Sequence, residues 1–167
     1  MDLKKFGKAI LSGILMVAFL SLTASAQNNA SFTTTDGTTV SLSEMRGKVV
    51  VLVFGGSTDP QCRSEIKMLE SLSERYANKK VVLYWVSIDT PANASDAQLK
   101  GPCGITTSVK VLRDANRAAF KQFGGRQLPT IVVLDQQGQV SGQPRGGFNP
   151  NSDFINDIAQ IIDGLLG

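Results

Sequence analysis

Two runs of the chain carry no polar interruption: Val49-Val50-Val51-Leu52-Val53-Phe54 and Val81-Val82-Leu83-Tyr84-Trp85-Val86. Strands without polar alternation are covered on both faces, as in a parallel sheet clad by helices. Between them Cys62, Ile66, Leu69, Leu72 and Tyr76 recur at three- and four-residue spacing, which predicts an amphipathic helix from about Pro60 to Ala77. Strand, helix, strand in that order implies a right-handed crossover between parallel neighbours. Upstream, Thr35-Asp36-Gly37-Thr38 predicts a hairpin over Ser31–Val40. Downstream the pattern gives a weaker helix over Pro91–Lys100, stopped by Gly101-Pro102-Cys103-Gly104, and a strand over Ser108–Leu112. A short helix capped by Asp114 ends at Gly124-Gly125, and a strand over Ile131–Leu134 turns at Asp135–Gly138 into Gln139–Gly142. Pro144–Pro150 reads as a loop before a last helix, capped by Asn151 or Ser152, with a broad apolar face from Phe154 to Leu166. No repeat, low-complexity tract or linker breaks the series. The pattern predicts one α/β domain of three layers, a central mixed β-sheet flanked by helices, with an N-terminal β-hairpin.

The first 26 residues do not belong to that series. Lys4, Lys5 and Lys8 precede an apolar stretch from Ala9 to Leu22, and Ala24-Ser25-Ala26 places small residues before Gln27. This order predicts a secretory signal peptide, residues 1–26, cleaved after Ala26, with the domain over residues 27–167 and a periplasmic or secreted location. An uncleaved leader would instead anchor the protein to the membrane. Cleavage would leave no membrane span, and no cysteine precedes Cys62 to take a lipid. Of the formal net charge of +3, three lysines and Asp2 in the leader account for +2. The small remainder gives no electrostatic case for nucleic acid. The chain has no histidine. That removes Ser-His-Asp and Cys-His catalysis and imidazole-held metals, so neither a cofactor nor a metal is expected.

The chemistry gathers where the first apolar run meets the first helix, at Thr58-Asp59-Pro60-Gln61-Cys62. Backbone N–H groups converge at such a turn and favour negative charge. Asp59 at the N-cap, Pro60 at the first helical position and Cys62 two residues on make a sound helix start without any further role. The helix terminus favours a thiolate at Cys62. Asp59 and burial beside Ile66 and Leu69 oppose it, which predicts a half-buried, protonated thiol.

Phe32, Asp36-Gly37, Val40-Ser41-Leu42-Ser43-Glu44 and Gly47-Lys48-Val49-Val50-Val51-Leu52 together resemble the N-terminal segment of the TlpA/ResA-type thioredoxin-like proteins, within the alkyl hydroperoxide reductase/thiol-specific antioxidant superfamily. Val86-Ser87-Ile88-Asp89, Arg113-Asp114-Ala115-Asn116-Arg117 and Phe123-Gly124 through Leu128-Pro129-Thr130 to Gly138 continue the match in order. The resemblance implies a thioredoxin-like fold and thiol–disulfide exchange with a protein or peptide substrate and a membrane-bound redox partner. It also implies a Trp-Cys-x-x-Cys motif, from which this chain departs. Asp59 stands at the attacking cysteine, Thr58 at the tryptophan and Gly55 at a second tryptophan, leaving Cys62 at the resolving position. The residues implied as catalytic are therefore Cys62, Asp59 and Pro129, with Pro129 in a cis bond facing the turn. Thr58, Leu128 and Thr130 are implied as substrate contacts.

Three functions follow from these residues. The first is a redoxin with at most monothiol or partner-assisted activity through Cys62. The second is a redox-inactive module that binds peptides beside Pro129. The third is a peroxiredoxin-like thiol peroxidase using Cys62 and Cys103. Two cysteines in a secreted chain favour a disulfide. Topology argues against Cys62–Cys103, because a helix descending from Pro91 to Lys100 would carry Cys103 toward the opposite edge of the sheet.

Overall fold

The computed structural model describes residues 28–147 and 152–167. The predicted leader, residues 1–26, lies outside them. Seven strands form one sheet in the order β2-β1-β5-β4-β3-β6-β7. Its centre is β3 (Val49–Gly55), parallel to β4 (Val81–Ser87), which is parallel in turn to β5 (Lys110–Arg113). The hairpin β1 (Ser31–Thr34) and β2 (Thr39–Ser41) closes one side antiparallel to β5. On the other side β6 (Thr130–Leu134) runs antiparallel to β3, followed by β7 (Arg145–Gly146). The chain thus has the mixed-sheet thioredoxin-like fold that its pattern and resemblance predict.

The lack of alternation in β3 has a direct cause. Val49, Val51 and Val53 pack on one face against helices α1 (Cys62–Arg75) and α4 (Ser152–Leu166). Val50, Leu52 and Phe54 pack on the other against Phe32, Leu42, Phe120 and Phe123. Every residue of β3 is therefore buried, and each such side chain contributes about 1.5–3 kcal/mol by leaving water. Helix α3 (Ala118–Gln122) is held through Asp114, whose carboxylate accepts the N–H groups of Ala119 and Phe120 at 3.3 and 2.8 Å.

Three elements differ from the sequence pattern. The helix expected over Pro91–Lys100 is a single turn, α2 (Asp96–Leu99). A turn closed on the Thr90 carbonyl takes up Asn93 and Ala94, and a capping box between Ser95 and Gln98 starts the helix late. The strand expected over Gln139–Gly142 is reduced to one bridge between Val140 and Leu134, and the pairing moves on to Arg145–Gly146. Finally, α1 begins at Cys62 rather than Pro60, after a turn through Pro60 and Gln61. Among the described residues no helix is long and apolar enough to cross a membrane.

Candidate active site

The site sits where β3 and β4 deliver their C-terminal ends, and three side chains shape it. Asp89, just past β4, accepts the Ser57 N–H and the Ser87 hydroxyl, both at 2.8 Å, and so fixes the start of the turn after Gly55. Asp59 accepts the Gln61 N–H at 2.8 Å through its carboxylate and the Cys62 N–H at 3.1 Å through its carbonyl. It therefore orders the turn ahead of α1 from two residues before the N-cap, which is Gln61, and this corrects the expectation that Asp59 is itself the N-cap. Thr58 is exposed on the rim.

The Leu128–Pro129 bond is cis. Its loop abuts the same turn, since the Leu128 side chain lies 3.9 Å from where a Cβ on Gly56 would stand. Leu128 is half-buried and Pro129 buried. Thr130 is buried as well, and its hydroxyl donates to the Gln127 carbonyl at 2.5 Å. The structure thus brings Thr58, Asp59, Leu128 and Pro129 to one end of the sheet, whereas the Thr130 hydroxyl is spent within its own loop.

Cys62 and Cys103 are joined by a disulfide, with Cα atoms 5.8 Å apart. This corrects the topological expectation and the picture of Cys62 as a free, half-buried thiol. The reason is the shortness of α2. One turn of helix does not carry the chain down the sheet, so Gly101 and the 3-10 turn Pro102–Gly104 stay beside the N-terminus of α1. Arg113 holds that excursion in place. Its buried guanidinium donates to the carbonyls of Asp89 and Ala94, each at 2.9 Å, and to the Asp96 carboxylate at 2.6 Å. On the far side, the Thr107 hydroxyl donates to the α1 residue Glu70 at 2.7 Å.

Beneath the disulfide lies a carboxyl that the sequence reading passed over. Glu65, three residues after Cys62 and on the same side of α1, is fully buried. Its Oε2 accepts the Trp85 indole N–H at 2.8 Å, while Oε1 has no hydrogen-bond partner among the described residues. Burial pushes its pKa up to about 7, against the pull of the Trp85 hydrogen bond and with a further push from the Asp59 charge. Gly55 makes room for this pair, because a Cβ there would collide with Glu65 Oε2 and Trp85 Nε1. The signal was present in the helix pattern: Glu65 falls in register with Leu69, Leu72 and Tyr76, on the buried stripe. Among the described residues no group of three His, Cys, Asp or Glu side chains is arranged to hold a metal ion.

Comparison with known proteins bears on the family and the fold. Residues 24–143 match the model of the AhpC/TSA family. The thiol-disulfide oxidoreductase ResA of Halalkalibacterium halodurans is 25% identical over 127 residues, which cover 76% of this chain and 69% of that protein. A thiol:disulfide interchange protein of the thioredoxin family from Chlorobium tepidum superposes with a TM-score of 0.63 at 26% identity, over 84% of this chain and 95% of its own. The exposed lipoprotein thioredoxin Etrx1 of Streptococcus pneumoniae superposes with a TM-score of 0.67 at 24% identity, over 83% of this chain and 100% of its own.

Proposed function

The chain belongs to the AhpC/TSA family, and from that premise we propose that it is a thiol–disulfide exchange protein acting outside the cytoplasm on the cysteines of other proteins, with Cys62 and Cys103 as its redox pair. The observation that carries this reading is the Cys62–Cys103 bond itself, at the turn where the resemblance expects the redox motif. Cys62 alone could form a mixed disulfide but not resolve it. Cys103 supplies the missing second sulfur, so the monothiol reading gives way to a dithiol one.

Glu65 suits this chemistry. A buried carboxyl three residues after Cys62 on the same side of α1, with a pKa of about 7, suits giving or taking a proton near neutrality when the bond opens. On this reading Asp59 orders the turn and has no part in electron transfer. Thr58 and Leu128 contact the substrate chain, with the Leu128 backbone pairing to an extended peptide. The basic and apolar leader with Ala24-Ser25-Ala26 supports export to the periplasm or the exterior, where disulfides persist and where the disulfide of a membrane-bound redox partner would renew the bond. The burial of Cys62 disfavours a peroxidase that reacts directly at that sulfur. A second reading, a peptide-binding module that has given up redox chemistry, is favoured by the use of Asp59 as a cap.

Equilibration of the native protein with graded mixtures of reduced and oxidised dithiothreitol, followed by acid quench and alkylation, separates the two. The redox reading expects reversible opening of the bond, and faster disulfide formation in a reduced, unfolded ribonuclease with the wild type than with the Cys62→Ser/Cys103→Ser variant. A pair that stays closed under excess dithiol in the folded protein, with exchange no faster than in that variant, would leave only the peptide-binding module.

A further inference from the structure

We propose that Cys103 is the sulfur through which the protein exchanges with its substrate, so that the attacking group has been relocated from the helix turn, now Asp59, to the facing loop. This assignment rests on the redox reading above. Its first support is access. Cys62 is 1% exposed and packs among Ile66, Leu69 and the apolar face of α1. Cys103 is half-buried and lines a groove of about 580 Å³ together with Ser57, Thr58, Asp59, Arg63 and Gln98. A nucleophile must reach the sulfur it attacks, and Cys103 borders an open groove whereas Cys62 is sealed in the core.

The second support is charge. Arg63 projects from the first turn of α1 into the same groove, and its guanidinium lies 3.5 Å from where a Cβ on Gly104 would stand, next to Cys103. Asp59 adjoins Cys62, whose N–H its carbonyl accepts. In the reduced protein a cation beside Cys103 favours a thiolate there, while burial keeps Cys62 as a thiol. The third support is the backbone. Cys103 occupies the left-handed region (φ 59, ψ 18), which side chains other than glycine rarely adopt. Gly104 on its C-terminal side is also left-handed (φ 67), and Gly101 stands two residues before it. Opening the bond frees this residue to relax outward into the groove.

The exchange balances as follows. A substrate thiolate attacks Sγ of Cys103. The bond from substrate sulfur to Cys103 forms, the Cys103–Cys62 bond breaks, and the electron pair leaves on Cys62 Sγ, which takes a proton with Glu65 as the buried donor. The substrate's second thiolate attacks the substrate sulfur of the mixed disulfide, closes a disulfide within the substrate and releases Cys103. A substrate dithiol has been oxidised and the Cys62/Cys103 pair reduced: the two substrate protons have gone to solvent as its thiolates formed, Cys62 holds the proton that Glu65 gave and regains from solvent, and Cys103 leaves as the thiolate. A protein disulfide of a partner restores the bond by the reverse sequence. The substrate class is thus a cysteine-bearing polypeptide segment presented to a polar groove.

The test compares Cys62→Ser, which leaves Cys103, with Cys103→Ser, which leaves Cys62, in their rate of mixed-disulfide formation with oxidised glutathione. We expect Cys62→Ser to react about tenfold faster or more. Because either variant could be disturbed in folding, reduced wild-type protein is also given a brief pulse of iodoacetamide and peptide-mapped, with Cys103 expected to be labelled first. Arg63→Gln should slow the labelling of Cys103 by roughly three- to tenfold at neutral pH, leave Cys62 unchanged and be rescued by Arg63→Lys. Faster reaction at Cys62, in a protein that still exchanges, would overturn this assignment and leave the redox reading intact. Inertness of both sulfurs in the variants and in the reduced wild type would overturn both.

Discussion

The two halves of the disulfide are built in opposite ways. Cys62 sits at the start of a fourteen-residue helix whose apolar stripe is sunk against the central sheet. Its position is set by burial, repeated over every turn of α1. Cys103 sits in a loop with one turn of α-helix before it and three residues of 3-10 helix around it, packed on the core on one side and open to a groove on the other. Its position is set by a few directional contacts, chiefly the fan of Arg113 hydrogen bonds to Asp89, Ala94 and Asp96. The sulfur on the long helix is the inaccessible one, and the accessible sulfur is held by a loop with few such contacts. Such a division suits a site that must hold one sulfur and release the other.

The largest effect that tests this contrast is loss of the bond. The two cysteines are 41 residues apart, and closing a loop of that length stabilises the fold by about 4 kcal/mol in the chain-entropy account. Urea unfolding of the oxidised wild type against Cys103→Ser should show a loss of that size. Cys62→Ser should lose a further ~1–2 kcal/mol, because a hydroxyl replaces sulfur in an apolar site. Equal losses for the two serine variants would erase the asymmetry.

The next effect belongs to the buried half. Glu65 has a folded-state pKa of about 7, raised from 4.5. The folded protein therefore holds a proton that the unfolded chain releases between those values, so stability falls as pH rises through about 4.5 to 7, by on the order of 3 kcal/mol in all. The groups facing Glu65 are the Trp85 indole from β4, which lowers the pKa, and Asp59 from the turn, which raises it. Glu65→Gln should flatten this slope and be more stable than the wild type at pH 8. An unchanged slope in chemical-denaturation midpoints from pH 4 to pH 8 would show that Glu65 is not the group responsible.

On the loop side the corresponding change is smaller. Arg113→Met should cost about 2 kcal/mol, since the carbonyls of Asp89 and Ala94 lose a charged donor. It should also raise amide exchange over residues 89–104 while leaving α1 protected. Protection lost equally in α1 would mean that the two halves are not separately held.

The same contrast explains what could be read in the chain before its fold was known. The β3 and β4 runs, the α1 stripe and the Asp59–Cys62 turn announce themselves because burial repeats along the sequence. Pro129 and the departure from a two-cysteine motif follow from the order of segments. The pairing of Cys62 with Cys103 was hidden, because it depends on how far α2 runs and on Arg113 reaching back seventeen residues to Asp96. Glu65 was hidden differently, since a lone carboxyl in an amphipathic helix reads as a solvent-facing residue unless its register with Leu69 and Leu72 is counted.

Asp59 touches both halves, and the smallest effect separates its two roles. Its carboxylate accepts the Gln61 N–H, and its charge raises the pKa of Glu65. Asp59→Ala removes both and should cost about 1 kcal/mol, the usual worth of such a cap. Asp59→Asn keeps an acceptor for the N–H and should stay within a few tenths of a kcal/mol of the wild type. Both variants remove the charge, so both should lower the Glu65 titration, read from the pH at which the fall in stability ends. If Asp59→Asn leaves that end point unmoved, the turn and the buried carboxyl are electrically independent, and Asp59 serves the turn alone. If the end point moves to lower pH with stability at pH 4 unchanged, the residue at the position of the attacking cysteine still sets the proton affinity of the buried Glu65.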